Sequence, residues 1–143
     1  MKKLLTIILF CILTLGMASV ASAADWRRID SADMPGYSLD TQSFQKRNGS
    51  AYTVWLKFEY ASESHGREFS DEQGIKEPAS YILSHLECNY DNNSYRLLLE
   101  IYYDKAGNII SYTASTRWIP ISPNTVGEFF LNATYDRYKE HYK

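Results

Sequence analysis

The side chains best suited to catalysis or metal binding are few and lie far apart in the sequence. The three histidines, His65, His85 and His141, fall in three different segments. His85 and Glu87 are two residues apart, so they would lie on one face of a β-strand and could offer two ligands to a metal ion. A third and a fourth ligand are not apparent, and we interpret His85 and Glu87 as solvated or paired across strands. The sequence predicts no catalytic residue, no metal and no cofactor.

Cys88 is the only cysteine outside the amino-terminal apolar segment, which contains Cys11. A single cysteine cannot form a bridge within its own chain. It is either a small buried apolar residue or the partner of the same cysteine in a second chain, and both readings stay open. A catalytic thiol would need a neighbouring base and an electropositive setting, and the sequence shows neither.

The aromatic residues point to binding rather than catalysis. The chain has 12 tyrosines and 3 tryptophans. Both residue types combine a large apolar area with a hydrogen-bonding tip and are favoured in binding surfaces. An alternative is that a β-rich domain of this size uses them in its core and along its edges.

The amino terminus predicts an export signal. Lys2 and Lys3 precede an apolar run over residues 4–15, and Ala21-Ser22-Ala23 has the small-x-small pattern that a signal peptidase requires. We predict cleavage between Ala23 and Ala24, which divides the chain into a cleaved signal peptide, residues 1–23, and one domain, residues 24–143. The apolar run is shorter than the roughly 20 residues needed to cross a bilayer, and bulky Phe10 before Cys11 argues against a lipoprotein. The predicted product is periplasmic or secreted, with no stable membrane insertion.

The charge of the predicted domain limits its partners. Without Lys2 and Lys3 the chain keeps 13 basic and 17 acidic side chains, a net charge of −4. Nucleic acids and anionic membranes require a basic face, so neither is expected as a partner.

Strand patterns dominate the predicted domain. Residues 51–61 alternate with period two, which is typical of a strand with one buried face. The residues predicted to share that face are Tyr52, Val54, Leu56, Phe58 and Tyr60. Further strand-like segments cover residues 26–29, 37–40, 43–44, 81–90, 95–103 and 109–115. Turn-forming residues between the last three predict an antiparallel meander.

One helix is predicted after the strands, over residues 125–142. Thr125 and Glu128 have the spacing of a capping box, in which each side chain binds a free backbone N–H of the first turn. The apolar residues that recur at helical spacing are Val126, Phe129, Phe130, Ala133 and Tyr138. The polar segment over residues 62–78 is predicted to be one long surface loop. The fold class is therefore β-rich α+β, an antiparallel sheet of about six strands with one carboxyl-terminal helix packed on one face.

The predicted strand over residues 95–103 has apolar side chains on both faces. Simple alternation places Tyr95, Leu97, Leu99, Ile101 and Tyr103 on one face and Arg96, Leu98, Glu100 and Tyr102 on the other. Such a strand fits a sheet that the helix covers on one side and another body, such as a second chain, covers on the other. The predicted binding surface consists of Trp55, Tyr102, Arg96 and Glu100, together with the loop over residues 62–78.

Motifs along the domain resemble the bacterial surface-adhesin protein E family. Those motifs are Tyr37, Leu39 and Asp40; Val54 and Trp55; Glu87 and Cys88; Tyr103, Asp104, Gly107 and Ile109-Ile110-Ser111; and Trp118, Pro123, Gly127 and Glu128. The resemblance implies a single antiparallel sheet of about six strands with a carboxyl-terminal helix against its concave face. It also implies a disulfide from the cysteine at the position of Cys88 to one in the helix, but the helix of this chain contains no cysteine. The adhesin for which the family is named is lipid-anchored and engages host proteins, whereas this chain lacks the lipid signal.

Two classes of function therefore remain to be compared. The first is a non-enzymatic binding domain whose partner is an envelope protein or a host extracellular protein. The second is a periplasmic enzyme or metal-binding protein that uses His85 and Glu87. A self-associating structural protein of the envelope, a homodimer included, is a further alternative.

Overall fold

The computed structural model describes residues 23–29 and 35–143. The predicted export signal lies outside these residues except for its last position, Ala23. The elements are β1 (Trp26–Arg28), β2 (Tyr37–Asp40), β3 (Gln45–Lys46), β4 (Ala51–Glu59), α1 (Glu63–Glu72), β5 (Tyr81–Asn89), β6 (Ser94–Tyr103), β7 (Ile109–Thr113), β8 (Ile119–Pro120) and α2 (Val126–His141).

All strands described belong to one antiparallel sheet. The main order is β1-β2-β4-β5-β6-β7, while the two-residue strands β3 and β8 pair with β4 and β6. The predicted antiparallel sheet and its carboxyl-terminal helix are confirmed. The turn from β6 to β7 shows why the connections are short: Asp104 accepts the backbone N–H of Asn108 at 2.8 Å, and Gly107 takes a φ of +84° that favours glycine.

The predicted inward face of β4 organises the core, and Thr53 on the opposite face is fully buried as well. Tyr52 and Val54 are fully buried on the face toward the helices, and Leu56 is 6% exposed there. They pack with Leu39 of β2 and Leu131 of α2 in one apolar cluster. Burial of each such side chain contributes roughly 1.5–3 kcal/mol to folding.

The prediction of a loop over residues 62–78 is wrong, because this segment contains α1. Ser62 caps the helix by accepting the backbone N–H of His65, and Phe69 packs between Tyr60 and Tyr102, with ring centroids 5.5 and 5.6 Å away. Gly66 of this helix has no room for a side chain, because a Cβ there would lie 1.8 Å from a backbone oxygen of the segment that enters β5. Helix α1 therefore packs against the backbone of the segment before β5 through small residues. A search for apolar residues at helical spacing cannot detect such a contact.

The predicted helix α2 is confirmed, and its predicted inward face is right in part, because Phe130 and Tyr138 pack on the sheet. Thr125 caps it and accepts the N–H of Glu128. Leu131 and Thr134 are the buried positions, whereas Val126 is 52% exposed. Thr134 can be buried because its hydroxyl bonds to the carbonyl oxygen of Phe130 at 2.8 Å. A search for apolar residues at helical spacing cannot identify a threonine as a core residue.

Strand β6 contains a β-bulge that reverses its alternation. His85 pairs with Leu99 and Leu86 pairs with Leu97, so Leu98 has no partner on β5. One extra residue moves every later side chain to the opposite face. The predicted division of β6 into two faces is therefore right for its first half and wrong for its second half.

None of the helices described is both long enough and apolar enough to cross a lipid bilayer.

Candidate functional site

The two faces of the sheet differ in what covers them. Both helices pack on one face: Phe130 of α2 lies 4.5 Å from Tyr37, and Phe69 of α1 stacks on Tyr102. We call the other side the open face. Strand register and alternation assign the following side chains to it: Thr53, Trp55, Lys57, Glu59, Tyr81, Leu83, His85, Glu87, Arg96, Leu99, Ile101, Tyr103, Ile109 and Tyr112. No described helix packs against it.

Aromatic stacking dominates the centre of the open face. Trp55 and His85 are cross-strand partners, and their rings stack with centroids 4.6 Å apart and planes 5° apart. Tyr81 and Tyr103 form a second stack at 4.6 Å and 6°. Each pair hides one side of its rings and leaves rigid apolar area toward solvent.

A charged group closes one end of the open face. Arg96 donates two hydrogen bonds to Glu87, at 2.8 and 2.6 Å, and lies over the ring of Trp118 at 4.9 Å. Glu87 is buried, so this charge-assisted pair is well shielded from water. Among the described residues, no three histidine, cysteine, aspartate or glutamate side chains are grouped as a metal site.

His85 and Glu87 do share a face, as predicted, but each has a partner. Glu87 is held by Arg96 and His85 by Trp55. Burial, and secondarily the positive charge of Arg47, lowers the pKa of His85, against a smaller opposing effect of Glu87.

The predicted binding surface is divided between the two faces. Trp55 and Arg96 lie on the open face, but the bulge at Leu98 turns Glu100 and Tyr102 toward the helices. Tyr102 is 7% exposed and donates a hydrogen bond to Glu100 at 2.5 Å. The prediction that these four residues form one contact surface is wrong, because it assumed unbroken alternation along β6.

A cleft of about 440 Å³ lies between the sheet and the amino-terminal half of α2. Its wall is mainly apolar, and its members include Leu56, Leu86, Leu97, Ile121, Phe130 and Leu131. Glu100 also lines it and accepts a hydrogen bond from Ser84 at 2.9 Å. The sequence did not reveal this cleft, because its residues come from six separate segments.

Cys88 lies on the helix side of the sheet and lines the same cleft. It is unpaired and 4% exposed, and burial raises its pKa to about 12. A thiol in this state is neither nucleophilic nor able to reach a second chain. Of the two readings left open for Cys88, the buried apolar residue fits this geometry, and a disulfide between folded chains does not.

Tyrosine side chains hold α2 against the sheet through ring stacking and a hydrogen bond. Tyr90 stacks on Tyr135 with centroids 3.7 Å apart, and Tyr52 stacks on Tyr138 at 4.6 Å. The hydroxyl of Tyr52 also bonds to Thr134 at 2.7 Å. Many of the aromatic residues noted in the sequence thus serve packing, and the open face holds only part of them.

Comparisons with known proteins agree with this architecture. A family model described as surface-adhesin protein E matches residues 26–134. The crystal structure of protein E from non-typeable Haemophilus influenzae is similar at a TM-score of 0.54 and 14% identity, over 86% of this chain and 82% of that chain. Crystal form II of Haemophilus influenzae protein E is similar at a TM-score of 0.50 and 14% identity, over 86% and 97%. At this identity the likeness concerns the fold. No curated protein matches the chain in sequence.

Proposed function

The chain belongs to the surface-adhesin protein E family, and from this membership we propose that it is an exported, non-enzymatic domain that binds another protein through its open face. The partner is a protein of the cell envelope or a host extracellular protein. The observation that carries the proposal is a sheet face with stacked aromatic rings that no described helix covers.

The open face has the composition of a protein interface. Its middle is formed by Leu83, Leu99 and Ile101 beside the Trp55–His85 stack, and these side chains are only half-buried. Charged groups lie around that middle, including Lys57 and the Arg96–Glu87 pair. An apolar centre with a polar rim is the usual arrangement of a protein-binding surface.

The exposed edge of this face supports the same proposal. Tyr112 is 73% exposed and Ile109 is 60% exposed, and both lie on β7, beyond which the described sheet has no further strand. Tyr112 pairs with Ile101 and Ile109 pairs with Tyr103, so the apolar centre continues to this edge. Large exposed apolar side chains beside an uncovered sheet are costly for an isolated domain and favourable once a partner covers them.

The non-enzymatic part of the proposal rests on how the polar groups are used. Arg96 neutralises Glu87, the Cys88 thiol is buried and protonated, and His85 is stacked on Trp55. A general acid or base must reach a substrate with its polar atom, and none of these groups combines accessibility with a suitable neighbour.

Export is supported by the leader pattern of the sequence. We propose cleavage between Ala23 and Ala24, which delivers the domain to the periplasm or the medium without a lipid anchor. Edman sequencing of the protein recovered from the producing cell should begin at Ala24.

A binding experiment tests the proposal at the edge of the open face. Purified domain is applied to an array of purified extracellular matrix proteins and to immobilised envelope proteins of the producing cell. Tyr112→Ala should weaken binding at least tenfold, because truncation of an aromatic side chain that anchors an interface costs about 2 kcal/mol or more. Tyr142→Ala is the matched control, since Tyr142 is 51% exposed at the end of α2.

Three outcomes are informative. Loss of binding with Tyr112→Ala but not with Tyr142→Ala supports the open face as the interface. A dimer in sedimentation experiments that Tyr112→Ala dissociates would instead make a second copy the occupant. Equal binding by all three proteins, or none by the wild type, overturns the proposal.

A further inference from the structure

The cleft under α2 has a feature that a packing void does not need: a carboxylate in its wall. The bulge at Leu98 turns Glu100 into this cleft, among apolar side chains. Ser84 and Tyr102 each donate a hydrogen bond to it. These two hydroxyls orient the carboxylate but leave its charge unbalanced.

No cation partners Glu100 within the described part of the chain. The ion pairs found there involve other carboxylates, and the cleft wall contains no lysine or arginine. The charge of Glu100 affects two nearby tyrosines. Burial is the main cause of the raised pKa of Tyr37 and of Tyr60, and the negative charge of Glu100 is the second cause. A half-buried carboxylate with no cation beside it favours the binding of a positively charged group.

Aromatic rings stand around the same cleft. Tyr37, Phe58 and Phe130 line it, and the ring of Tyr37 lies 4.5 Å from each of the other two. The faces of such rings attract cations, and the effect is larger where water is displaced. Rings and a carboxylate in one wall are the chemistry that recognises an ammonium group.

An anionic occupant fits less well. The first turn of a helix can bind anions through its free N–H groups, and α2 begins at this cleft. One of those groups is already used, since Thr125 accepts the N–H of Glu128, and the carboxylate of Glu128, which accepts the N–H of Asn124 at 2.7 Å, already places a negative charge at the start of the helix. A fatty acid would also place its carboxylate in a wall whose only charge is that of Glu100.

We propose that this cleft binds a small amphipathic amine, with its ammonium group against Glu100 and its apolar body beside Leu86 and Leu97. The volume of about 440 Å³ lies within the range of small-molecule sites, and the cleft has the usual apolar wall with few polar groups. The site is separate from the open face, so it can be tested without any protein partner.

Calorimetric titration of the purified domain with three probes of equal length tests this inference. The probes are n-octylamine, n-octanol and octanoate, which differ in the charge of the head group. The wild type should bind octylamine about tenfold more tightly than octanol, as expected for one charge-assisted hydrogen bond, and octanoate most weakly.

Two variants locate the binding. Glu100→Gln removes the charge and keeps one acceptor oxygen, while its amide N–H can donate to the hydroxyl that loses its acceptor, so octylamine affinity should fall to that of octanol. Val126→Trp fills the mouth of the cleft from an exposed position and should weaken binding of both probes. Glu68→Gln, on the exposed surface of α1, is the matched control and should bind all probes like the wild type.

If a variant fails to fold, the affinities of the wild type for octylamine, octanol and octanoate alone decide whether the inference holds. Equal binding of octylamine and octanol, tighter binding of octanoate, or no binding of octylamine would each overturn the inference. If the cleft does not bind octylamine as expected, the separate proposal that the open face binds a protein is unaffected.

Discussion

At the scale of single residues, His85 is the titratable group that links the open face to pH. It lies against Trp55, and burial together with the charge of Arg47 lowers its pKa from its usual value of 6.5. His85 therefore takes up a proton less readily in the folded protein than in the unfolded chain. Stability contributed in this way is present above the unfolded pKa and is lost as the pH falls through it.

We therefore expect the free energy of unfolding to decrease between about pH 7.5 and pH 5. Urea denaturation at several pH values measures it, and NMR titration gives the pKa of His85 directly. His85→Gln should reduce the slope, while His65→Gln, at an exposed position of α1, should keep it. A His85 pKa above 6.5 would show that attraction between its protonated ring and Trp55 outweighs burial.

At the scale of elements, α1 depends on one close approach. A Cβ on Gly66 would lie 1.8 Å from the carbonyl oxygen of Ala79, and that oxygen belongs to the backbone and cannot rotate away. Ser70, one turn later, is fully buried and accepts the N–H of Ala79 at 2.9 Å. Small residues one turn apart thus let the helix lie directly against the chain.

Gly66→Ala should destabilise the domain by about 1–3 kcal/mol, the usual cost of overpacking, although alanine is the better helix former. Urea denaturation measures the loss. Near-ultraviolet circular dichroism should weaken too, because a displaced α1 separates Phe69 from Tyr102. Glu68→Ala on the exposed side of α1 is the control and should be nearly neutral. Equal stability of Gly66→Ala and wild type would contradict the close contact.

The elements also show what the sequence could predict. Strands β4 to β7 were predictable because alternation and turn-forming residues both identify them. Helix α1 was missed because its contacts use Gly66 and Ser70, which resemble loop residues, with Phe69 as its one large apolar side chain. The bulge at Leu98 was missed because it is defined by pairing with β5, and no local pattern in β6 encodes it.

At the scale of the whole molecule, the bulge decides how the two candidate sites are formed. It leaves Leu99 and Ile101 on the open face and sends Glu100 and Tyr102 to the helix side. One irregularity therefore extends the apolar face on one side and places a carboxylate in the cleft on the other. Trp55 and Arg96 were predictable as surface residues from β4 and the start of β6. The cleft was not, because it exists only once α2 and β8 meet the sheet.

The attachment of α2 also belongs to this scale, since the helix is held without the disulfide that the family resemblance implies. Its nearest substitute is the hydrogen bond between Tyr52 and Thr134, which lies beneath the helix at 2.7 Å, beside the buried Cys88 thiol. Cys88 and Thr134 line the same cleft, and Thr134→Cys should form a bridge with Cys88 under oxidising conditions. Closure of a loop of this length stabilises a domain by about 4 kcal/mol, and loss of the Tyr52–Thr134 bond offsets about 1 kcal/mol of that.

The oxidised variant should therefore unfold at a higher urea concentration than the wild type, with a net gain of about 3 kcal/mol. Its reduced form should be slightly less stable than the wild type, which isolates the contribution of the bridge. Mass spectrometry after alkylation reports whether the thiols are free. Asn132→Cys, at an exposed position of the same helix, is the control and should remain reduced. A Thr134→Cys variant that stays reduced would mean that packing holds α2 at a distance or angle a disulfide cannot span.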